Sequence, residues 1–272
     1  GRIIMPRVYK DKVLQLSRSK EMAEVFTPSW ICNAQNNLID NAWFGIDYIF
    51  NNEILLENGR KSWETTIEKI VFTEGKTWMD YVRDTRLEIT CGEAPYLVSR
   101  YDTTTGEPIN IENRIGLLDR KLRVINENLS SKEEWLEAAV IAYKNIYGFE
   151  WQGDSLLLAR EALFITFIEY FSNRFNTDPP QKYIQKIAEI ISWNIWQMDG
   201  LKGIVPNSCK DEVINISDIF ETKTEIRKCK GCQTQNIKLH NGIYCNIMDW
   251  DEKDEVTGKP GKIIRYVDLL KK

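Results

Sequence analysis

Four residues near the C-terminal end have the types and spacing of a metal site. Cys229 and Cys232 form a Cys-x2-Cys pair, and His240 and Cys245 follow, giving C-x2-C-x7-H-x4-C. Zinc takes thiolate sulfur and imidazole nitrogen, four at a time in a tetrahedron, and a closed Cys3His set suits a structural ion. Cys209 is an alternative fourth ligand. Two readings stand for this segment: a small structural zinc module, or reduced cysteines in a loop-rich end. Lys228 and Lys230 flank the pair, which also admits contact with a nucleic acid. His240 is the only histidine of 272 residues. A three-histidine metal centre is therefore excluded, and any Ser-His or Cys-His nucleophilic pair would have to use it.

A second stretch with chemical potential is LEITCGEAPYL, residues 87–97. It begins as a strand and turns on Cys91, Gly92, Glu93, Ala94 and Pro95. In α/β proteins such a turn lets backbone N–H groups face a nucleotide-like ligand at the end of a strand. A later run, NIYGFEW (145–151), reads as a buried strand ending in Glu150, a carboxylate able to accept hydrogen bonds from ribose hydroxyls. Dinucleotide folds separate turn and acid by about 20 residues. Here Gly92 and Glu150 lie 58 positions apart.

These residues need elements to hold them. Trp30, Ile31, Ala34 and Leu38 fall near one face of a helix that Ser29 can cap. Residues 46–66 read as a loop with an Asn-Gly turn at 58–59, and KTWMDYVRDT as a helix feeding the strand RLEIT. Across 114–129, Ile115, Leu118, Leu122, Ile125 and Leu129 mark one helix face. Arg114, Arg120, Lys121 and Arg123 lie off it, as a solvated face or a phosphate contact. Ser131 with Glu134 opens a second helix. SLLLAREALFITFIEYF and QKYIQKIAEIIS are helices separated by the stop NTDPP, and NIWQMDGL is a strand and turn. Helices alternating with strands argue for an α/β fold with a parallel sheet. The expected organisation is a basic arm and helix over 1–45, an α/β domain over 46–206 with a helical insertion around 98–144, and a cysteine-containing segment over 207–272.

The net charge of −4 implies that any nucleic-acid surface is local. Arg2, Arg7, Lys10, Lys12, Arg18 and Lys20 form such a stretch, either an arm on phosphates or a solvated terminus. No apolar run approaches a bilayer span and no secretory signal is recognisable, so no membrane partner and a cytoplasmic setting with reduced cysteines are expected.

Read in order, EVFTPSW, LEITCGEAPYL, IYGFEW and NIWQMDGL resemble the gamma-order amino DNA methyltransferases, which methylate adenine N6, mostly within restriction-modification systems. The likeness spans roughly residues 20–205 and lies in the order of the four motifs. It implies a Rossmann-like S-adenosylmethionine-dependent methyltransferase fold, with double-stranded DNA and a restriction-modification subunit as partners. Thr27 and Pro28 match the motif at the methionine end of the cofactor. Glu88, Cys91, Gly92 and Leu97 match the strand-turn. Gly148 and Glu150 match the ribose-binding strand, and Asp199 matches the acid near the adenine. Trp30 and Trp151 adjoin these motifs and could pack on the adenine ring.

The family's catalytic motif is Asn/Asp/Ser-Pro-Pro-aromatic, which holds the target amino group in line with the methyl donor and stacks on the flipped base. No such motif follows NIWQMDGL. Asp178-Pro179-Pro180 is the sole Pro-Pro, with Gln181 where the aromatic belongs, and reads as either a catalytic loop or a helix-stopping linker. The expectation is thus an S-adenosylmethionine-binding methyltransferase-like protein, whole or part of a split enzyme. The alternatives are an inactive DNA-binding or assembly subunit of the same fold, or a nuclease; GFEWQGD lacks the lysine a nuclease motif places two residues after the acid.

Overall fold

The computed structural model describes residues 26–217, 222–255, 258 and 260–270. The basic stretch over residues 1–20 lies outside them. Helix α1 (Ser29–Phe44) leads to a hairpin of β1 (Asn51–Leu55) and β2 (Lys61–Thr65), and then to α2 (Trp78–Arg83) and β3 (Arg86–Ile89). Helices α3 (Leu117–Asn128) and α4 (Lys132–Lys144) connect β3 to β4 (Ile146–Glu150). Helices α5 (Gly153–Phe175) and α6 (Gln181–Asn194) connect β4 to β5 (Ile195–Gln197). The remainder holds the hairpin β6 (Glu212–Ser217) and β7 (Thr222–Arg227), the short α7 (Lys230–Thr234), the hairpin β8 (Asn246–Lys253) and β9 (Pro260–Arg265), and α8 (Tyr266–Leu269).

The protein is mixed α/β, and no described helix is long and apolar enough to cross a membrane. The parallel sheet has three strands in the order β3-β4-β5, with Glu88 opposite Gly148 and Glu150 opposite Gln197. The expected parallel sheet is present but small, and the described residues form no larger Rossmann-like sheet. A sequential order contains no reversal, so these strands form no topological switch point. The span read as a loop at 46–66 is the β1–β2 hairpin, whose tip uses Gly59 at φ 76°. Strand β4 is buried except at half-buried Tyr147, which is why IYGFE reads as a near-continuous apolar run.

Helices α3 to α6 supply the main core, with Leu122, Trp135, Phe167, Phe171 and Ile187 fully or almost fully buried. Ser131 caps α4 by accepting the Glu134 N–H. A smaller cluster of Phe149, Met198, Cys245, Ile247, Tyr266 and Val267 lies between the sheet and the β8–β9 hairpin.

Helix α1 reverses its expected polarity. Leu38 is 69% exposed, while Asn33, Asn36, Asn37 and Asp40 are buried. The reason lies on α3, where Arg120 and Lys121 are buried rather than solvated. Arg120 Nη1 donates to Asp40 Oδ2 at 2.6 Å, and Nη2 donates to Asn33 and Asn37 at 3.0 and 2.7 Å. Asp40 Oδ1 accepts Tyr81 Oη at 2.9 Å and Arg86 at 3.3 Å. Lys121 Nζ donates to the carbonyls of Val82, Asp84 and Asn145, joining the ends of α2 and α4. A buried charge is tolerated only when paired and hydrogen-bonded in this way.

Removing one partner of the buried pair leaves the other uncompensated. Arg120→Ala should lower unfolding free energy in urea by about 3–5 kcal/mol. Leu38→Ala, on the face that periodicity nominated for the core, should change it by less than about 0.5 kcal/mol.

Candidate functional site

The turn after β3 and the start of α1 enclose a small cleft of about 70 Å³, open to solvent. It is lined by Thr27, Glu88, Cys91 and Gly92, four of the residues nominated from sequence, together with Phe26, Thr90, Glu93, Pro95, Tyr96 and Thr103. The chain is held there at both ends. Asn36 on α1 donates to the carbonyls of Tyr96 and Ile115, each at 2.9 Å. The first N–H groups of α3, from Leu117 and Leu118, donate to Tyr96 and Leu97 at 2.8 and 2.9 Å. A Cβ on Gly116 would lie 2.4 Å from the Leu97 carbonyl oxygen, so glycine is what lets α3 dock onto the turn.

Thr27 reaches the cleft because α1 begins beside it. Pro28 occupies the cap position and flanks the cleft without lining it. Ser29 does not cap with its side chain; its backbone N–H donates instead to Asp102 Oδ2 at 2.8 Å, across 73 positions of sequence. Thr103 Oγ1 donates to the Thr27 carbonyl at 2.8 Å. Asp102 and Thr103 belong to DTTTG, which is recognisable from sequence only as a turn.

The turn itself is strained. Thr90, Gly92 and Ala94 have φ of 58°, 56° and 63°, the left-handed region in which a β-branched residue is an outlier. Left-handed non-glycine residues cluster where function over-determines the backbone. Ala94 takes the conformation that glycine adopts without penalty. Gly148 on β4 lies under the turn, where a Cβ would sit 3.2 Å from Cys91 Sγ and from Ile195 Cδ1.

Glu150 secures this conformation. Its Oε2 accepts the Gly92 N–H at 2.7 Å and its Oε1 accepts the Gln152 N–H at 2.9 Å. The same carboxylate thus ties the turn after β3 to the turn after β4. An ionised carboxylate offers about four acceptor positions, so two remain. Trp151 is 36% exposed beside it and does not line the cleft. Asp199 serves its own turn, accepting the Leu201 and Lys202 N–H groups at 3.2 Å each and pairing with Lys202 Nζ at 3.6 Å. Asp178, Pro179 and Pro180 form the α5–α6 turn. Helix α6 has 14 residues, so it separates them from the start of β5 by roughly 21 Å.

Glu88 is the exceptional group. Burial pushes its carboxyl well above the usual carboxylate range, against the lowering effect of the Tyr96 and Leu97 N–H groups. Its Oε2 is buried and reaches no partner. Burial also raises Tyr96 to about 12. Glu93 adds a second acid, bonded by Tyr101 Oη. Among the described residues that line the cleft there is no lysine or arginine.

The cysteine segment gathers Cys209, Cys229, Cys232 and His240, with all ligand atoms within 4.8 Å of one another, and this group could hold a zinc ion. Cys245 is not in it. The Cys245 thiol is buried in the smaller core and donates to the Gln197 carbonyl at 3.7 Å. Spacing placed Cys245 next to His240; the chain path instead brings in Cys209, from 20 positions before Cys229.

Removing the Glu150 carboxylate leaves two turn N–H groups without their acceptor. Glu150→Ala should therefore cost about 2–4 kcal/mol in urea unfolding, and Glu150→Gln, which keeps one amide oxygen, should cost less. No protein-family model, no curated protein and no solved structure matches the chain.

Proposed function

We propose that the cleft binds S-adenosylmethionine and that the chain is a methyltransferase-like subunit acting with DNA in a restriction-modification system. The observation that carries this reading is the charge of the cleft. Glu88 has a buried oxygen without a hydrogen-bond partner, Glu93 lines the same cleft, and no cation is found among the described lining residues. Such a site favours a ligand that brings positive charge, since a buried carboxylate ionises readily only next to a cation. S-adenosylmethionine carries an ammonium and a sulfonium against one carboxylate, a net positive charge. A phosphorylated nucleotide is disfavoured, because phosphate sites use free helix N-terminal N–H groups and basic side chains. Here the N–H of Ser29 at the start of α1 is already taken by the Asp102 carboxylate.

In this reading Glu88 takes the ammonium, Thr27 and Tyr96 bound the methionine end, and Cys91 and Gly92 supply the tight backbone beneath it. At about 70 Å³ the cleft is smaller than a whole small-molecule site, so in this reading it takes the ammonium end of the ligand and the remainder lies outside it. Glu150, Trp151 and Asp199 are the candidates for ribose and adenine contacts. The reading assigns no transfer loop to Asp178–Pro180, given the distance along α6. Adenine N6 as the methyl acceptor follows from the resemblance of the four motifs. The position of the Pro-Pro turn favours a second form of the same reading, in which this chain binds cofactor and a partner supplies the transfer loop.

S-adenosylmethionine should raise the melting temperature by binding the native state only, by an amount that grows with ligand concentration. ATP and NAD should not. Glu88→Gln should weaken binding about tenfold or more in calorimetry, as loss of a charge-assisted contact. No shift at millimolar cofactor, with Glu88→Gln indistinguishable from the parent, would sink the reading.

Affinity should also depend on pH with a definite sign. The carboxyl of Glu88 is protonated in the free protein to a higher pH than an exposed one, and it must ionise to pair with an ammonium. Binding then releases a proton. Affinity should fall by up to about tenfold per pH unit below that raised pKa and level off above it. Calorimetry in buffers of different ionisation enthalpy reads the proton directly.

A further inference from the structure

We propose that Cys209, Cys229, Cys232 and His240 hold one Zn²⁺ in a closed tetrahedral site, and that this ion staples the segment following β5 to the segment leading into β8. The proposal is independent of the cofactor reading. Its first support is metric. With Zn–S of about 2.3 Å and Zn–N of about 2.0–2.1 Å, a regular tetrahedron has S···S edges of about 3.8 Å and S···N edges of about 3.6 Å. Cys209 Sγ and Cys232 Sγ are 3.7 Å apart, and His240 Nδ1 lies 3.6, 3.6 and 3.7 Å from the sulfurs of Cys209, Cys229 and Cys232. Four of the six edges thus match a zinc tetrahedron, and the other two sulfur pairs lie within 4.8 Å. A disulfide would need about 2.05 Å between sulfurs.

The second support is the way the backbone is cut to this shape. Cys229 occupies the cap position of α7 and Cys232 lies within it, so the Cys-x2-Cys pair straddles a tight turn. A Cβ on Gly231 would lie 2.6 Å from the His240 nitrogen and 2.7 Å from its ring, so only glycine lets the imidazole lie over that turn. A Cβ on Gly242 would come within 2.9 Å of the Cys209 nitrogen. The His240 N–H donates to Tyr244 Oη at 2.8 Å, and the Asn241 N–H donates to Cys229 Sγ at 3.4 Å. Ligands held by such surrounding hydrogen bonds are the mark of a built site. Four protein ligands leave no open position, so the ion is structural rather than catalytic.

The third support is what this part of the chain lacks. Val213, Ile226 and Ile243 are 65–67% exposed, so the segment buries little apolar surface of its own. Small modules of that kind need a cross-link in place of a core. The ion would provide one at the end of a short ladder. From Cys209 the chain runs back to Ile204, which bridges both Tyr244 and Asp199, and the Val205 N–H donates to Ile243 at 2.8 Å. The Cys245 N–H donates to Gly203 at 3.0 Å. The ligands lie at one end of this ladder and the Asp199 turn at the other.

Elemental analysis of the purified full chain should find one zinc per chain. Cys209→Ser should raise the zinc dissociation constant roughly a hundredfold or more, since even groups outside the ligand shell are worth about 10–100-fold. Cys245→Ala should leave the stoichiometry at one. If Cys209→Ser does not fold, Co²⁺ bound to the parent chain and to Cys245→Ala decides instead, with the same tetrahedral three-thiolate spectrum expected from both. Chelating the metal should speed amide exchange over residues 199–210 and 240–245 while leaving β3 and β4 protected. A metal-free protein with a Cys209–Cys232 disulfide, or zinc lost from Cys245→Ala and kept by Cys209→Ser, overturns the site. Unchanged exchange over 199–210 after metal release overturns the staple.

Discussion

The buried pair of Asp40 and Arg120 is the interaction on which the placement of the cleft depends. A guanidinium and a carboxylate inside a domain are each costly to bury alone, so every neighbour must supply a hydrogen bond. Asn33, Asn37, Tyr81 and Arg86 do so, and Asn51 extends the network to β1. Each bond has an angular requirement that apolar packing lacks. The network therefore sets the position of α1 against α3, β1 and β3 more sharply than a greasy face would. That position brings Thr27, just ahead of α1, opposite Glu88 at the end of β3.

The cleft then combines strain with anchoring. Left-handed Thr90 and Ala94 cost free energy, and Glu150, Asn36 and the first turn of α3 hold the chain in that shape. Glu88 carries a further cost, a polar oxygen buried without a partner. Costs of this kind concentrate where a ligand completes the structure. In the proposed function, the acid-lined wall and the Asp102 carboxylate at the start of α1 both favour a cationic ligand.

The two parts of the chain solve stability differently. Residues up to the end of β5 bury a large apolar core between helices and sheet. The later residues pack one small cluster under the β8–β9 hairpin and leave many aliphatic side chains in solvent. Four convergent ligands suit a stretch that hydrophobic burial does not stabilise.

Sequence alone determined the regular elements wherever a single periodicity dominated. Helices α3 to α6 and strand β4 lie where apolar spacing puts them, because those segments bury the face that their geometry requires. Strands β3 and β5 also form where they were read, although Leu87 and Ile89 of β3 are 41% and 42% exposed. It also nominated Thr27, Glu88, Cys91 and Gly92, which meet in one cleft, and Cys229, Cys232 and His240, which meet in one cluster. The tertiary structure decided what depends on partners far along the chain. Arg120 and Lys121 read as solvated because charge is normally outside, and only Asp40 and the waiting carbonyls reverse that. Leu38 read as core because the asparagines of α1 have no local partner that reveals their burial. Ser29 read as a cap until Asp102, 73 positions on, took its place. Cys245 gave way to Cys209 because a tetrahedron is closed in space, and spacing along the chain measures only the ligands that share a turn.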